Sequence, residues 1–484
     1  MEAKSQRNET PEAATADTVK QRLFFVVLVA TMGSLAYGYD TGIISGALPF
    51  MTLPAGQGGL GLTPFTEGLV TSSLIFGAAV GAFLSGYLAD RFGRRITLRS
   101  LALLFVLGAL GTTVAPTVNI MIVMRFLLGI AVGGGSSTVP VFIAEIAGPR
   151  KRAPLVSRNE LMIVSGQLVA YIVSALMSYL LNDPHLWRYM LALAMVPGVL
   201  LFIGTFFVPA SPHWLVAEGR TKEALRVLKT LREHPREVQK EIADMKQQAH
   251  ESQKGPSTRE LLKQKWVLRL VLTGAGMGFV LQFTGVNAFM YYTPIILKST
   301  GMGTSASIAA TIGNGVVSVL AALAGIKGVS RFGRRPMLMT GLTIVICAQV
   351  ALGCVLVFMP QDMTQSLLAL GCILVFLFFM QMCISPVYWL LMSELFPMKV
   401  RGALTGTAVS FQWICNAIVA FMFPPLLAAA GNATFFIFAL LNIGSLVFVF
   451  TSLPETRGKS LEQIETLMRE RFGEEEKPIA AQTT

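Results

Sequence analysis

"DRFGRR", Asp90 to Arg95, returns as "SRFGRR", Ser330 to Arg335. Each copy follows an apolar run, and two further echoes keep the same order. Glu145 is followed by Arg152 in the first half of the chain as Glu394 is followed by Arg401 in the second. "PASPHW" at 209–214 stands where "PETRGK" stands at 454–459. The chain therefore repeats itself, and a repeat built of apolar spans is the mark of a transporter made from two parallel halves.

Composition agrees. Of 484 residues, 53% are hydrophobic and only 14% charged, with a mean hydropathy of +0.61. A soluble domain usually carries about 25% charge. Apolar runs of about 20 residues recur, long enough to cross a bilayer as helices. Twelve spans are expected, at about 23–51, 66–89, 96–116, 118–146, 155–182, 187–208, 266–298, 305–327, 336–359, 366–396, 402–429 and 432–453. The fold class expected is all-α and membrane-embedded. Its parts are a polar N-terminus (1–21), a six-helix half (22–208), a helical linker (209–265), a second six-helix half (266–453) and a polar tail (454–484). In the linker, "TKEALRVLKTLREHPREVQKEIADMKQQ" has the spacing of amphipathic helices broken at Pro235.

The net charge of +12 comes from Lys and Arg in alternate loops, "DRFGRRITLR", "GPRKRAP", the linker, "KGVSRFGRRP" and "PMKVRG". The opposite loops, such as "TVAPTVN" and "LLAAAGNA", carry none. That asymmetry orients the chain with both termini and the linker in the cytoplasm, and it points away from nucleic acid. Cys347, Cys354, Cys372, Cys383 and Cys415 fall in apolar spans of the second half without metal spacing, and read as small buried hydrophobes. His185, His213, His234 and His250 lie in loops or the linker. No metal, no cofactor and no enzymatic activity is expected, since the chain has no nucleophile elbow and no phosphate-binding loop.

Asp40 and Arg125 are the charges hardest to place. Asp40 lies well inside span 1, roughly 26 Å from its cytoplasmic start at about 1.5 Å per residue. Arg125 enters span 4 from the other side to roughly 10 Å, so the two share a depth. An unpaired charge there costs at least about 2.5–3.5 kcal/mol, and a pair between them is expected. It is either a static bridge or a switch.

The motifs together identify a resemblance. "GYDTGIISG", "LADRFGRR", "RFLLGIAVGG", "AEIA", "NELMIVSGQL", "QFTGVNAFMYY", "RFGRRP", "SELFP", "KVRG" and "LPETRGKSLEQIE" are those of the sugar porters of the major facilitator superfamily. Several stretches look most like bacterial myo-inositol/proton symporters. The resemblance implies proton symport of a sugar or cyclic polyol, with Asp40 and Arg125 as the proton-coupling pair. It implies a central substrate site of Gln167, Gln282, Asn287, Trp389, Gln412, Trp413 and Asn416. Tyr37, on the face of Asp40, joins them from the first half. Amides both donate and accept, and an indole offers a flat wall with one N–H, which suits a polyol. Taken singly, each is also explained as interhelical glue.

Tyr291 and Tyr292 are expected as an outer gate. Asp90, Arg91, Arg94, Arg95, Glu145 and Arg152, mirrored by Arg331, Arg334, Arg335, Glu394 and Arg401, are implied as a cytoplasmic gate; basic loops also serve orientation alone. The partners implied are a small sugar or polyol, protons and the lipid bilayer, with the chain acting as a monomer. An uncoupled uniporter and a non-transporting sensor are the rival readings. The sequence departs from the family at Leu281, where a glutamine is usual, at Ala210 and His213, at Ala153 and Pro154, and at Ser330.

Overall fold

The computed structural model describes residues 16–147, 152–181, 183–232, 235–254, 265–396, 401–453 and 455. Among them there is helix and no strand. Span 1 is Ala16–Met51, span 2 Pro64–Phe92, span 3 Arg94–Val114, span 4 Val118–Ala147, span 5 Arg152–Leu180 and span 6 Leu186–Ala192 with Met195–Gly204. Span 7 is Lys265–Phe283 with Val286–Ser299, span 8 Thr304–Arg331, span 9 Arg334–Phe358, span 10 Met363–Phe379 continuing to Glu394, span 11 Arg401–Ala430 and span 12 Thr434–Ser452. Spans 11 and 12 run almost into one another, separated only by the tight turn Gly431–Ala433. The linker holds helices Pro212–Ala217, Thr221–Leu231 and Pro235–Lys254. Pro235 opens the last of these, where its missing N–H costs nothing.

The loops carrying "DRFGRR" and "SRFGRR" lie at one end of the bundle, called here the basic end; the other is the far end. Large apolar side chains such as Phe83, Leu180, Phe207 and Phe358 point outward, as expected of a surface solvated by lipid.

Lipid tails give helices no hydrophobic reason to associate, so close packing of small residues does the work. Spans 2 and 4 show it. A Cβ on Gly129 would sit 1.9 Å from the Leu74 carbonyl oxygen, and one on Gly133 1.9 Å from that of Ala78. Reciprocally, Gly77 and Gly81 lie against the carbonyls of Phe126 and Ile130. Spans 1 and 5 meet the same way, Gly38 against Ile163 and Gly166 against Leu35. Backbone on backbone leaves no slack, so spans 2 and 4 form one rigid pair and spans 1 and 5 another.

The described contacts between the halves lie in the middle and far parts of the bundle. Gly68 of span 2 packs on the Phe421 carbonyl of span 11, and Phe65 lies edge-on to Phe421 at 5.5 Å. Gly315 of span 8 packs on Leu168 and Tyr171 of span 5, and Ser305 donates to the Ser178 carbonyl at 3.2 Å. The far end is thus closed.

Among the described residues three spans are interrupted: span 6 between Ala192 and Met195, and spans 7 and 10 more sharply. Span 7 breaks at Gly285, which adopts φ +84°, a conformation glycine takes without a Cβ clash. Span 10 widens into a π-turn at Met380–Ile384 ahead of Pro386, a distortion common at functional sites.

Replacing Gly133 by Val is expected to separate spans 2 and 4 and to destabilise the protein by at least about 1–3 kcal/mol. Gly135→Val, where nothing lies within 4 Å of the added Cβ, should be tolerated. Thermal melts of the two purified variants in detergent check this.

Candidate functional site

Asp40 and Arg125 are brought together in the interior. Arg125 Nη2 donates to Asp40 Oδ2 at 3.5 Å, and the side chains are 2% and 1% exposed. Arg125 Nε donates to the Val70 carbonyl of span 2 at 3.0 Å. The pair is only half made: Asp40 Oδ1 and Arg125 Nη1 are buried with no hydrogen-bond partner. The Thr41 hydroxyl, beside Asp40, donates to the Tyr37 carbonyl one turn back at 3.0 Å.

The central amides converge around the break in span 7. Asn287 Nδ2 donates to Gln282 Oε1 at 2.8 Å and to Asn416 Oδ1 of span 11 at 2.8 Å. Gln412 lies one turn from Asn416 and packs on Gly278. Gln167, from the first half, donates to Met290 Sδ at 3.6 Å. Tyr37 meets Trp413 across the halves, ring centroids 5.9 Å apart. Three buried polar atoms in this set have no partner: Gln167 Oε1, Gln412 Oε1 and Trp413 Nε1. Trp389 is 42% exposed, and its ring neighbour is Tyr388 at 5.2 Å. Leu281 is buried next to Gln282.

The break in span 7 frees backbone carbonyls, and buried side chains satisfy them. Gln349 of span 9 donates to the Thr284 carbonyl at 2.8 Å. Asn442 of span 12 donates to the Phe283 carbonyl at 3.4 Å and to Gln349 Oε1 at 3.0 Å. Above the break, Tyr291 and Tyr292 are buried. The Tyr292 hydroxyl pairs with Thr71 Oγ1 of span 2 at 2.8 Å, and its ring stacks on Phe423 at 5.1 Å.

At the basic end Arg94 binds Asp90 (2.9 Å) and Glu145 (3.1 Å), linking spans 2, 3 and 4. Ser211 donates to Glu145 Oε2 at 2.5 Å, and Trp214 Nε1 to the Asp90 carbonyl at 2.9 Å. Arg95 donates to the Val208 carbonyl at 3.3 Å, and Arg91 to Tyr87 Oη at 3.3 Å. In the second half Glu455 caps span 9 by accepting the backbone N–H groups of Arg334 and Arg335, at 3.0 and 3.1 Å. Arg335 also donates to the Phe450 carbonyl at 2.5 Å, and Arg331 is exposed. The side chains of Arg152, Glu394 and Arg401 lie outside the described residues. On the linker, the hydrogen bonds from Arg220 hold the Glu223 carboxyl below its usual range.

The family model described as "Sugar (and other) transporter" matches residues 26–468. The major myo-inositol transporter IolT of Bacillus subtilis (strain 168) is 46% identical over 450 residues, covering 92% of this chain and 94% of its own. The chain belongs to the sugar transporter family. The galactose-proton symporter of Escherichia coli (strain K12) is 36% identical over 92% of this chain and 94% of its own. The inward open conformation of the E. coli xylose transporter XylE superposes with a TM-score of 0.79 at 28% identity, over 92% of this chain and 99% of that one. The twelve-helix major facilitator architecture follows, and the protein is a multi-pass membrane transporter rather than an enzyme.

Of the residues expected in this sugar transporter's site, the structure gathers Gln282, Asn287, Gln412 and Asn416 into one amide cluster. Tyr37 and Trp413 face each other, while Gln167 approaches from the first half. None of the described contacts joins Trp389 to them. Gln349, Asn442, Thr71, Ser211 and Glu455 are contributors that sequence reasoning passed over. A glutamine and an asparagine in otherwise apolar spans 9 and 12 were the available signal for the first two.

Gln349→Leu should leave the Thr284 carbonyl buried without a donor, a cost of about 1–3 kcal/mol. It should lower the melting temperature and weaken substrate binding together, checked by thermal shift with and without ligand.

Proposed function

We propose that the chain imports a neutral sugar or cyclic polyol, with myo-inositol the first candidate, in symport with a proton. The basic end is taken as cytoplasmic by the positive-inside rule, so closure at the far end makes this an inward-facing state. IolT as a relative supports the polyol, and the galactose-proton symporter supports coupling.

The observation that carries the substrate reading is the set of unpartnered buried atoms. Burying a polar group without a hydrogen bond costs free energy, and natural interiors rarely leave several together. Gln167 Oε1 and Gln412 Oε1 accept, Trp413 Nε1 donates, and a polyol offers hydroxyls that do both. The rings of Tyr37 and Trp413 supply flat faces for its C–H surfaces. Because Gln167 comes from the first half and Gln412 from the second, a bound polyol draws the halves together. That supplies the differential affinity that shifts one state toward the other.

Coupling rests on the half-made pair. A carboxylate in this setting is held charged by Arg125 and driven neutral by desolvation. A change in the angle between spans 1 and 4 trades one for the other, so a proton is taken or released as the halves rock.

Three outcomes are expected. Adding substrate to lightly buffered cells expressing the protein should make the medium alkaline; uptake with no pH change leaves uniport. In a transport-null bacterium, neutral inositols should out-compete hexoses, pentoses and sugar acids. Gln412→Ala and Asn416→Ala should each raise KM about tenfold or more, as loss of one to two net hydrogen bonds implies. An unchanged KM in both variants would remove the amide cluster from the site.

A further inference from the structure

A second carboxylate is buried in the far-end seam, and the mechanism above does not use it. Glu67 lies in the first turn of span 2, 8% exposed, and its Oε1 has no hydrogen-bond partner among the described residues. Its neighbours are the closure itself. Gly68 abuts the Phe421 carbonyl of span 11, with 2.4 Å to a Cβ built there. Thr71, one turn on, pairs with Tyr292 of span 7 at 2.8 Å and approaches the Ala420 carbonyl at 3.5 Å.

The groups that face this seam offer Glu67 no counter-charge. Span 11 presents backbone carbonyls and the Phe421 ring; its far half, from Asn416 to Ala430, carries no titratable side chain. Span 7 presents the phenols of Tyr291 and Tyr292, and its Lys298 is exposed. Arg125 of span 4 is committed to Asp40 and the Val70 carbonyl.

With the seam open, Glu67 has water and the N-terminus of its own helix, both of which favour the carboxylate. With the seam closed, the water goes and carbonyl oxygens replace it, which penalises the charge. We propose that Glu67 is a second proton-binding site of this transporter, filled from the far-side water when the seam between spans 2 and 11 closes and emptied to the same side when it opens. The sign follows from linkage: the closed state binds the extra proton, so falling pH on the far side favours closure and rising pH favours opening.

The site is tested without reference to substrate and in a double Asp40→Asn, Arg125→Gln background, which removes the coupling pair without leaving a spare guanidinium near the seam, so that failure of the coupling role of Asp40 leaves the result readable. Spin labels are placed at Gln57→Cys and Ala428→Cys, one on each half at the far end, after the five native cysteines are replaced by alanine. Distance distributions are recorded on the full chain in lipid nanodiscs from about pH 8.5 to about pH 5.5. The closed-to-open ratio should rise as pH falls, by up to about tenfold per pH unit over part of that range. Glu67→Gln should hold the seam closed with a flat pH response. Glu67→Met, which fills the seam without a titrating group, should do the same and serves if the glutamine variant does not fold. A parent that does not respond to pH, or a Glu67→Gln protein that responds as the parent does, overturns the proposal. A distribution that follows exchange of sodium for choline at fixed pH overturns it as well, since the site would then hold a metal cation.

Discussion

The structure depends on one incompletely satisfied ion pair. Asp40 and Arg125 are almost wholly removed from solvent, yet each keeps an atom without a partner. A buried pair of this kind is poor evidence for stability, because desolvation offsets much of the Coulombic gain. It is better understood as a constraint. Arg125 is anchored to the Val70 carbonyl of span 2, and its half-made contact with Asp40 is what joins span 1 to the pair of spans 2 and 4. Asp40 keeps its charge only while Arg125 is near. In the function proposed above, a motion that alters that distance alters the proton affinity of Asp40, and rocking of the halves then carries a proton.

Such a motion needs rigid bodies and soft seams, and the chain separates the two. Glycine contacts within the first half place backbone against backbone at distances that admit no Cβ, so spans 2 and 4 move as one pair and spans 1 and 5 as another, with the Asp40–Arg125 contact between the pairs. Between the halves, the far-end contacts of Gly68 with Phe421 and of Tyr292 with Thr71 are few and polar in part, and can be remade. Span 7 carries the remaining softness. Its break at Gly285 sets the amides of Gln282 and Asn287 beside Asn416. Gln349 and Asn442 meet the cost of that break by binding the carbonyls it frees. Site and gate are adjacent because both hang on the same interrupted helix.

Much of this was legible in the sequence, where one residue carried its own argument. The repeated "RFGRR" announced two halves. Depth along spans 1 and 4 matched Asp40 to Arg125, because helical rise is fixed and an unpaired charge in lipid is expensive. Gly285 within "QFTGVN" marked a weak point in span 7. What escaped was partner choice among neutral polar groups. Gln349 and Asn442 serve carbonyls that exist only because a different helix breaks. Glu67 sits at the end of a span, where an acid looks like an ordinary cap until span 11 is laid over it. Ser211 reaches Glu145 beside Ala210 and His213, the positions where the family pattern departs. Trp389 has the family's motif around it, and the ring described beside it is Tyr388 rather than an amide of the cluster.

The account's central claim is that Asp40 couples the proton to the sugar without itself being needed to carry the sugar. Reconstituted Asp40→Asn protein, compared with the parent in liposomes under an imposed pH gradient, tests this most directly. The account predicts that the variant exchanges labelled for unlabelled substrate across the membrane at a rate near the parent's, and that it no longer accumulates substrate against a gradient. Accumulation by the Asp40→Asn protein at the parent's level would contradict it.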